Sequence, residues 1–187
     1  FASDINAQIE ANKGKRQYAV TLGDMSWDLY WYSNAYDLYS YIATINEKVK
    51  GIQIFHTIGN HDHDMNSAGD FNTVTAFKNV VAPTYYSFNI GDIHYIVLDN
   101  ILCTNNGTGD RTYDSSLTQD QLTWLANDLK HVDKSKKLVV TMHAQMYNEN
   151  GKASMAFASE LEKLCSGYET HVLSAHTHVI WNNDNLA

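Results

Sequence analysis

Apolar residues recur along the chain in two rhythms, one helical and one strand-like, and the two alternate. "NAYDLYSYIATINEKV" (34–49) puts Leu38, Tyr41, Ile42, Ile45 and Val49 on one face at helical spacing. "SLTQDQLTWLANDLKHV" (116–132) predicts a second helix, with Thr118 as its cap and Gln121 three positions on in a capping-box pattern. "ASMAFASELEKLC" (153–165) predicts a third, stopped at Gly167, and residues 3–12 read as the tail of another. Between these lie short apolar runs that predict strands: "QYAVTL" (17–22), "IQIFHTI" (52–58), "KLVVTM" (137–142) and "THVLSA" (170–175). "TYYSFNIGDIHYIVLD" (84–99) reads as two strands joined by a turn at Gly91-Asp92. Strands that alternate with helices, several of them apolar throughout, predict an α/β layered fold whose strands are buried on both faces.

Composition narrows this picture. The 187 residues suit a single domain over 1–187, and 44% hydrophobic with 18% charged residues fits a folded chain. A formal charge of −8 argues against a partner held through its phosphate backbone, which needs a basic face. A small phosphorylated substrate gripped through bound cations escapes that objection. Cys103 and Cys165 make neither a disulfide framework nor a C-x-x-C motif. No apolar run is long enough to cross a bilayer. The start, "FASDINAQIEANKGKRQ", lacks a signal-peptide pattern and an initiator Met, so a processed or excised piece is expected. Few Lys and Arg, with many Tyr and Asn, lean toward a periplasmic or secreted setting.

The chemistry sits where the strands end. Strand 17–22 is followed by Gly23-Asp24, strand 52–58 by Gly59-Asn60-His61-Asp62, strand 137–142 by His143, and strand 170–175 by His176-Thr177-His178. In α/β sheets that edge is where ligands bind, because successive strands deliver their ends to one crevice. Singly, each feature has an ordinary explanation. Gly-Asp after a strand is usually a turn, and His56, His94, His131 and His171 are read as hydrogen-bonded core or rim residues. Jointly, one carboxylate, one amide and three imidazoles form a nitrogen and oxygen ligand set without thiolate. That set suits Zn²⁺, Mn²⁺ or Fe in a catalytic setting. Five donors exceed what one catalytic ion takes from protein, so two divalent ions sharing a bridging carboxylate is the economical reading.

The blocks Gly23-Asp24, Gly59-Asn60-His61-Asp62, His143 and His176-Thr177-His178 resemble the calcineurin-like metallophosphoesterase superfamily. The resemblance spans residues 23 to 178 and includes the hairpin "TYYSFNIGDIHYIVLDN" and the helix "LTQDQLTWLANDL". It implies a layered α/β sandwich of mixed β-sheets flanked by helices. It also implies phosphoester hydrolysis at a dinuclear metal centre with a bridging hydroxide as nucleophile. On this resemblance Asp24 bridges the ions; Asn60, His143 and His176 complete one of them, and His178 belongs to the other. His61 is the proton donor to the leaving oxygen, with Asp62 orienting its imidazole.

Three departures qualify the match. The D-x-H block is missing upstream of Gly23, which leaves His178 and Asp24 without two further ligands to the second ion. Ala175 stands where the family has Gly, and the chain stops soon after His178. The central part of a longer metallophosphoesterase, lacking the first and last strands, is the expectation. The alternative is a non-catalytic or one-metal module that keeps the fold, and a nuclease is a third reading, lowered by the acidic balance. Trp27 occupies the place where purple acid phosphatases have a metal-binding Tyr, and indole offers no oxygen. Packing with Tyr30 and Trp31 is the first reading of Trp27, and a wall of the substrate pocket is the sharper one. The Gly/Asn-rich stretch 100–116 is expected to be a rim loop carrying Arg111 as a candidate phosphate contact. His63 and Asp64 are expected at the rim, and Tyr147 and Asn148 are candidate substrate contacts.

Overall fold

A computed structural model describes residues 2–26 and 36–180. In chain order the elements are α1 (Ala2–Ala11), β1 (Tyr18–Leu22), α2 (Leu38–Lys48), β2 (Gln53–Thr57), a short 3-10 turn (Asn60–Asp62), α3 (Asp70–Thr73) and α4 (Thr75–Val80). There follow β3 (Tyr86–Ile90), β4 (Ile93–Val97), β5 (Ile101–Cys103), β6 (Tyr113–Ser115), α5 (Gln119–Asp128), β7 (Lys137–Thr141), α6 (Ala158–Cys165) and β8 (Thr170–Leu173).

The strands form three sheets. β1 and β2 pair in parallel, β5 and β6 antiparallel, and the main sheet runs β3-β4-β7-β8. In that sheet β3–β4 is antiparallel while β4–β7 and β7–β8 are parallel, so it is mixed. The principal core lies between the main sheet and α5 and α6, where Ile96, Leu98, Leu125, Leu138, Val140 and Leu161 are buried. β4 and β7 are buried on one face, through His94 and Ile96 and through Leu138 and Val140, and partly covered on the other, whereas β1 and β8 are less buried still. β1 is half-buried, and Val172 and Leu173 of β8 are 36% and 45% exposed.

Several contacts fasten the β1–β2 pair to the main sheet, among them a hydrogen-bonded Tyr and an aromatic stack. The Tyr86 hydroxyl donates to the His56 carbonyl at 3.0 Å and accepts from the His56 amide at 2.9 Å. It thereby satisfies an open backbone edge of β2. Below it, Phe55 stacks on Phe88 and Phe88 on Tyr95, with ring centroids 3.6 and 4.9 Å apart.

Helix signals held where capping chemistry backed them. Asp37 caps α2 by accepting from the Ser40 amide at 2.8 Å, and Leu38, Tyr41, Ile45 and Val49 are buried. Thr118 caps α5 as predicted, but Gln121 does not close the box. Its side-chain amide instead brackets the backbone of Asp99, donating to the carbonyl at 2.7 Å and accepting from the amide at 2.9 Å. α6 begins at Ala158 rather than 153, because Phe157 ahead of it has a left-handed backbone, φ 64°. The expected rim loop 100–116 contains the short β5–β6 pair, and α3 and α4 arise in a stretch without clear helical rhythm.

Candidate metal centre

β1 and β2 run side by side in register, Leu22 opposite Thr57, so their ends arrive together. Each then breaks at a glycine. Gly23 takes φ 94°, and a Cβ there would lie 2.6 Å from His143 Nδ1 and 2.7 Å from the Gly59 Cα. A Cβ on Gly59 would in turn overlap Asp24 and fall 2.9 Å from His143 Nδ1. Two glycines nested face to face are what bring Asp24 and Asn60 within reach of one imidazole.

His143 arrives on the first residues after β7. The Asn100 side chain fixes the turn: its oxygen accepts from the His143 and Ala144 amides at 3.1 and 3.0 Å, and its nitrogen donates to the Ala144 carbonyl at 2.7 Å. The His143 ring donates from Nδ1 to the Leu22 carbonyl at 2.7 Å, which turns Nε2 inward. Around Nε2 stand Asn60 Oδ1 at 2.9 Å, Asp24 Oδ2 at 3.1 Å and His176 Nδ1 at 3.1 Å. His176 Nδ1 is also 3.1 Å from Asn60 Oδ1.

Four lone-pair atoms from four strand ends therefore meet about one point. A proton on Nε2 satisfies one of those contacts, whereas a cation satisfies all four. The residues fit a divalent ion, with a carboxylate and an amide oxygen beside two imidazoles.

Electrostatics agree. Burial alone would raise the Asp24 pKa, but the hydrogen bond and charge of His143 and the His61 amide outweigh it, so the carboxylate titrates lower than usual. Burial opposes charge on His143 too, and Asp24 overcomes it, raising that imidazole. Burial and the charge of His143 both lower His176. Three of the histidine and carboxylate residues here, Asp24, His176 and His178, hold positive φ of 57°, 70° and 56°.

Asp62 is wholly buried, and its place differs from that of a partner to the His61 ring. Oδ2 accepts from the amides of Asp24 and Gly59 at 2.8 and 2.9 Å, and Oδ1 from those of Met25 and Ser26 at 2.8 and 3.1 Å. It clamps the two ligand loops together through their backbones. Burial pushes its pKa up to about 6 against the pull of the Gly59 amide, with the charge of Asp24 adding to the rise. The His61 amide donates to Asp24 Oδ1 at 3.0 Å, which sets that imidazole directly beside the carboxylate.

The other predicted residues divide. Arg111 reaches the site from the β5–β6 connection and donates to the Asn60 carbonyl. His178 is exposed and stands outside the compact cluster, although its charge is felt by His176. His63 is not at the rim: it is fully buried under α3 and α4, with Nδ1 2.9 Å from Thr73 Oγ1. Tyr147 is not beside the ligands either. It lines a groove of about 270 Å³ with Leu161, Glu162, Cys165 and Val172, and burial and Glu162 raise its pKa. Trp27 lies outside the described residues. Asn100 and Tyr113 went unread in the sequence; the Tyr113 ring meets His176 edge-on with centroids 6.1 Å apart. A buried Asn directly after an apolar strand was the signal available for the first.

This arrangement is that of a metallophosphoesterase. The chain belongs to the calcineurin-like phosphoesterase family, whose model matches residues 2–180. Among individual proteins it is similar to purple acid phosphatase 23 of Arabidopsis thaliana, 32% identical over 100 residues, covering 50% of this chain and 19% of the relative. It is similar as well to purple acid phosphatase 21 of the same plant, 32% identical over 99 residues, covering 52% and 19%. In structure it resembles the purple acid phosphatase PPD1 from yellow lupin (Lupinus luteus) seeds. The TM-score is 0.58 at 16% identity, over 92% of this chain and 32% of that one. The chain thus spans about a fifth of the length of the curated relatives it matches. Among the described residues, no helix is long and apolar enough to cross a membrane.

Proposed function

We propose that this protein hydrolyses phosphoesters of small substrates at a dinuclear divalent-metal centre built on Asp24. The observation that carries the reading is that donor atoms of Asn60, Asp24 and His176 lie 2.9, 3.1 and 3.1 Å from His143 Nε2. Asn60, His143 and His176 would hold one ion, and Asp24 and His178 would serve a second. When bound, such ions supply the positive charge that offsets a phosphoryl group and a water acidified enough to attack phosphorus. Zn²⁺, Mn²⁺ and Fe all suit the donor set.

The chain's own residues do the rest. His61, held beside Asp24 by its amide, presents an imidazole that protonates the departing oxygen. Asp62 is a positioning residue: it keeps the Asp24 and Asn60 loops at fixed separation. Arg111, already lodged on the Asn60 carbonyl, places a guanidinium where a phosphate oxygen would be oriented. The net charge of −8 disfavours a nucleic-acid substrate. Trp27 in place of a tyrosine ligand supports a centre without iron–phenolate chemistry, in contrast to purple acid phosphatases.

One observation favours a second reading, a module that binds one ion without catalysis: His178 is exposed and apart from the cluster. Metal analysis of the purified protein with assays on a generic phosphomonoester and phosphodiester separates the two. Two equivalents with turnover support the hydrolase, and one equivalent without turnover supports the module.

A further inference from the structure

A second group of metal-binding side chains lies in the interior, on residues that the hydrolytic centre does not use. His63 follows the 3-10 turn, Asp70 opens α3 and Cys103 ends β5; one donor atom from each lies within 4.8 Å of the other two. His63 is 0% and Cys103 3% exposed, and Asp99, 6% exposed, stands beside them.

The orientation of His63 is fixed by its neighbours. The Thr73 hydroxyl donates to the Asp70 carbonyl at 2.7 Å, so its oxygen is left to accept. His63 Nδ1, 2.9 Å away, is therefore the N–H that donates to Thr73. Nε2 is then the nitrogen aimed inward, toward Asp99 and Cys103, and among the described residues no partner lies within hydrogen-bond distance of it. Asp99 Oδ1 lies 3.6 Å from it, an ion-pair distance beyond hydrogen-bond reach. A histidine anchored through one ring nitrogen with the other turned into a closed polar space is the arrangement ligating imidazoles adopt.

The carboxylates are pre-set in the same way. Asp70 Oδ1 accepts from the Cys103 amide at 2.8 Å, and Asp99 Oδ1 accepts from the Ile101 amide at 3.2 Å. Burial and the charge of Asp99 both raise Asp70, with the Cys103 amide pulling against them. Burial would lower His63, yet Asp99 and Cys103 raise it to about 10.

We propose that His63 Nε2, Cys103 Sγ and the Asp70 carboxylate form a second, structural zinc site, with Asp99 beside His63 balancing its charge. Tetrahedral bonds of about 2.0–2.3 Å require donors roughly 3.3–3.8 Å apart, a small contraction of the observed group. A thiolate with imidazole and carboxylates selects Zn²⁺ over the hard cations Mg²⁺ and Ca²⁺. The ion would pin the loop carrying His63, and with it the Asn60–Asp62 turn, to β5. This site stands or falls independently of the hydrolytic reading, since the centre around Asp24 contains no sulfur.

That difference supplies the test. In zinc-loaded protein, X-ray absorption should show a sulfur scatterer at about 2.3 Å. Replacing zinc with Co²⁺ should give a thiolate-to-cobalt band in the near ultraviolet. Cys165→Ser should keep that band, whereas Cys103→Ala and His63→Gln should each lose it together with one equivalent of bound metal. An all-nitrogen-and-oxygen environment in the wild-type protein, which needs no variant to fold, would overturn the proposal. So would a cobalt–thiolate band that survives in Cys103→Ala.

Discussion

The His143 imidazole donates through Nδ1 to the Leu22 carbonyl, tying the second residue after β7 to the last residue of β1 at 2.7 Å. The two sheets are joined at the point where the ligands converge, and Thr57 Oγ1 to Thr141 Oγ1 at 3.2 Å repeats the join one layer deeper. His143, proposed above as a ligand, is also a latch between sheets. Its replacement by Ala should weaken metal binding by more than the ~10–100-fold typical of losing a supporting contact. Calorimetric titration with Zn²⁺ or Mn²⁺ measures this, and unchanged affinity would remove His143 from the ligand set.

His61 makes a different contribution. His61→Asn should lower turnover on a phosphomonoester or phosphodiester by about 10²–10⁴-fold while metal content stays near that of the wild type. Parallel loss of metal and turnover would assign His61 to binding instead.

Asp62→Asn tests the backbone clamp. At pH 7.5 the substitution places an NH₂ group against amides that already donate, leaving donors in the interior unsatisfied. A loss of about 2–4 kcal/mol in stability is expected, together with weaker metal binding. Urea midpoints and metal titration report the two effects; a variant of wild-type stability would mean that the four amide contacts are dispensable.

His56 sets a pH limit on the fold. Burial lowers its pKa from 6.5 to about 4, so the folded state keeps the ring neutral over a range where the unfolded chain is protonated. Its share of stability is complete above pH 6.5 and is lost as pH falls from 6.5 toward 4, by about 3 kcal/mol in all. The wild type should therefore weaken relative to His56→Gln across that window in urea unfolding. Parallel pH curves would contradict the assignment.

The four strand-end blocks were legible because each is short, local and placed by a strong apolar run. What the sequence concealed was long-range. Asn60, His61 and Asp62 read as one polar unit, yet the 3-10 turn sends the Asp62 carboxylate to amides 36 to 38 residues earlier. His63 and Asp64 continue the same polar run and so looked like rim. His63 is drawn inward by Thr73 of α3, in a segment that has no clear helical period. β5 and β6 are three residues each, too brief for alternation to register, with glycines between them. Gln121 kept its place in a capping-box spacing but found a stronger partner in the Asp99 backbone. Tyr147 follows a ligand in sequence, but the chain turns it toward α6.

The left-handed backbone at Asp24, His176 and His178 carries a consequence for engineering. L-residues with a branched β-carbon crowd the following carbonyl in that conformation, at a cost of roughly 1–2 kcal/mol, whereas Asn, Asp, His and Gly are tolerated. Libraries intended to shift cation preference at these three positions are thus confined to a handful of residue types before any coordination chemistry is considered. Asn60, in the 3-10 turn, and His143, at the end of β7, are outside that restriction, so retuning of the centre has most room there.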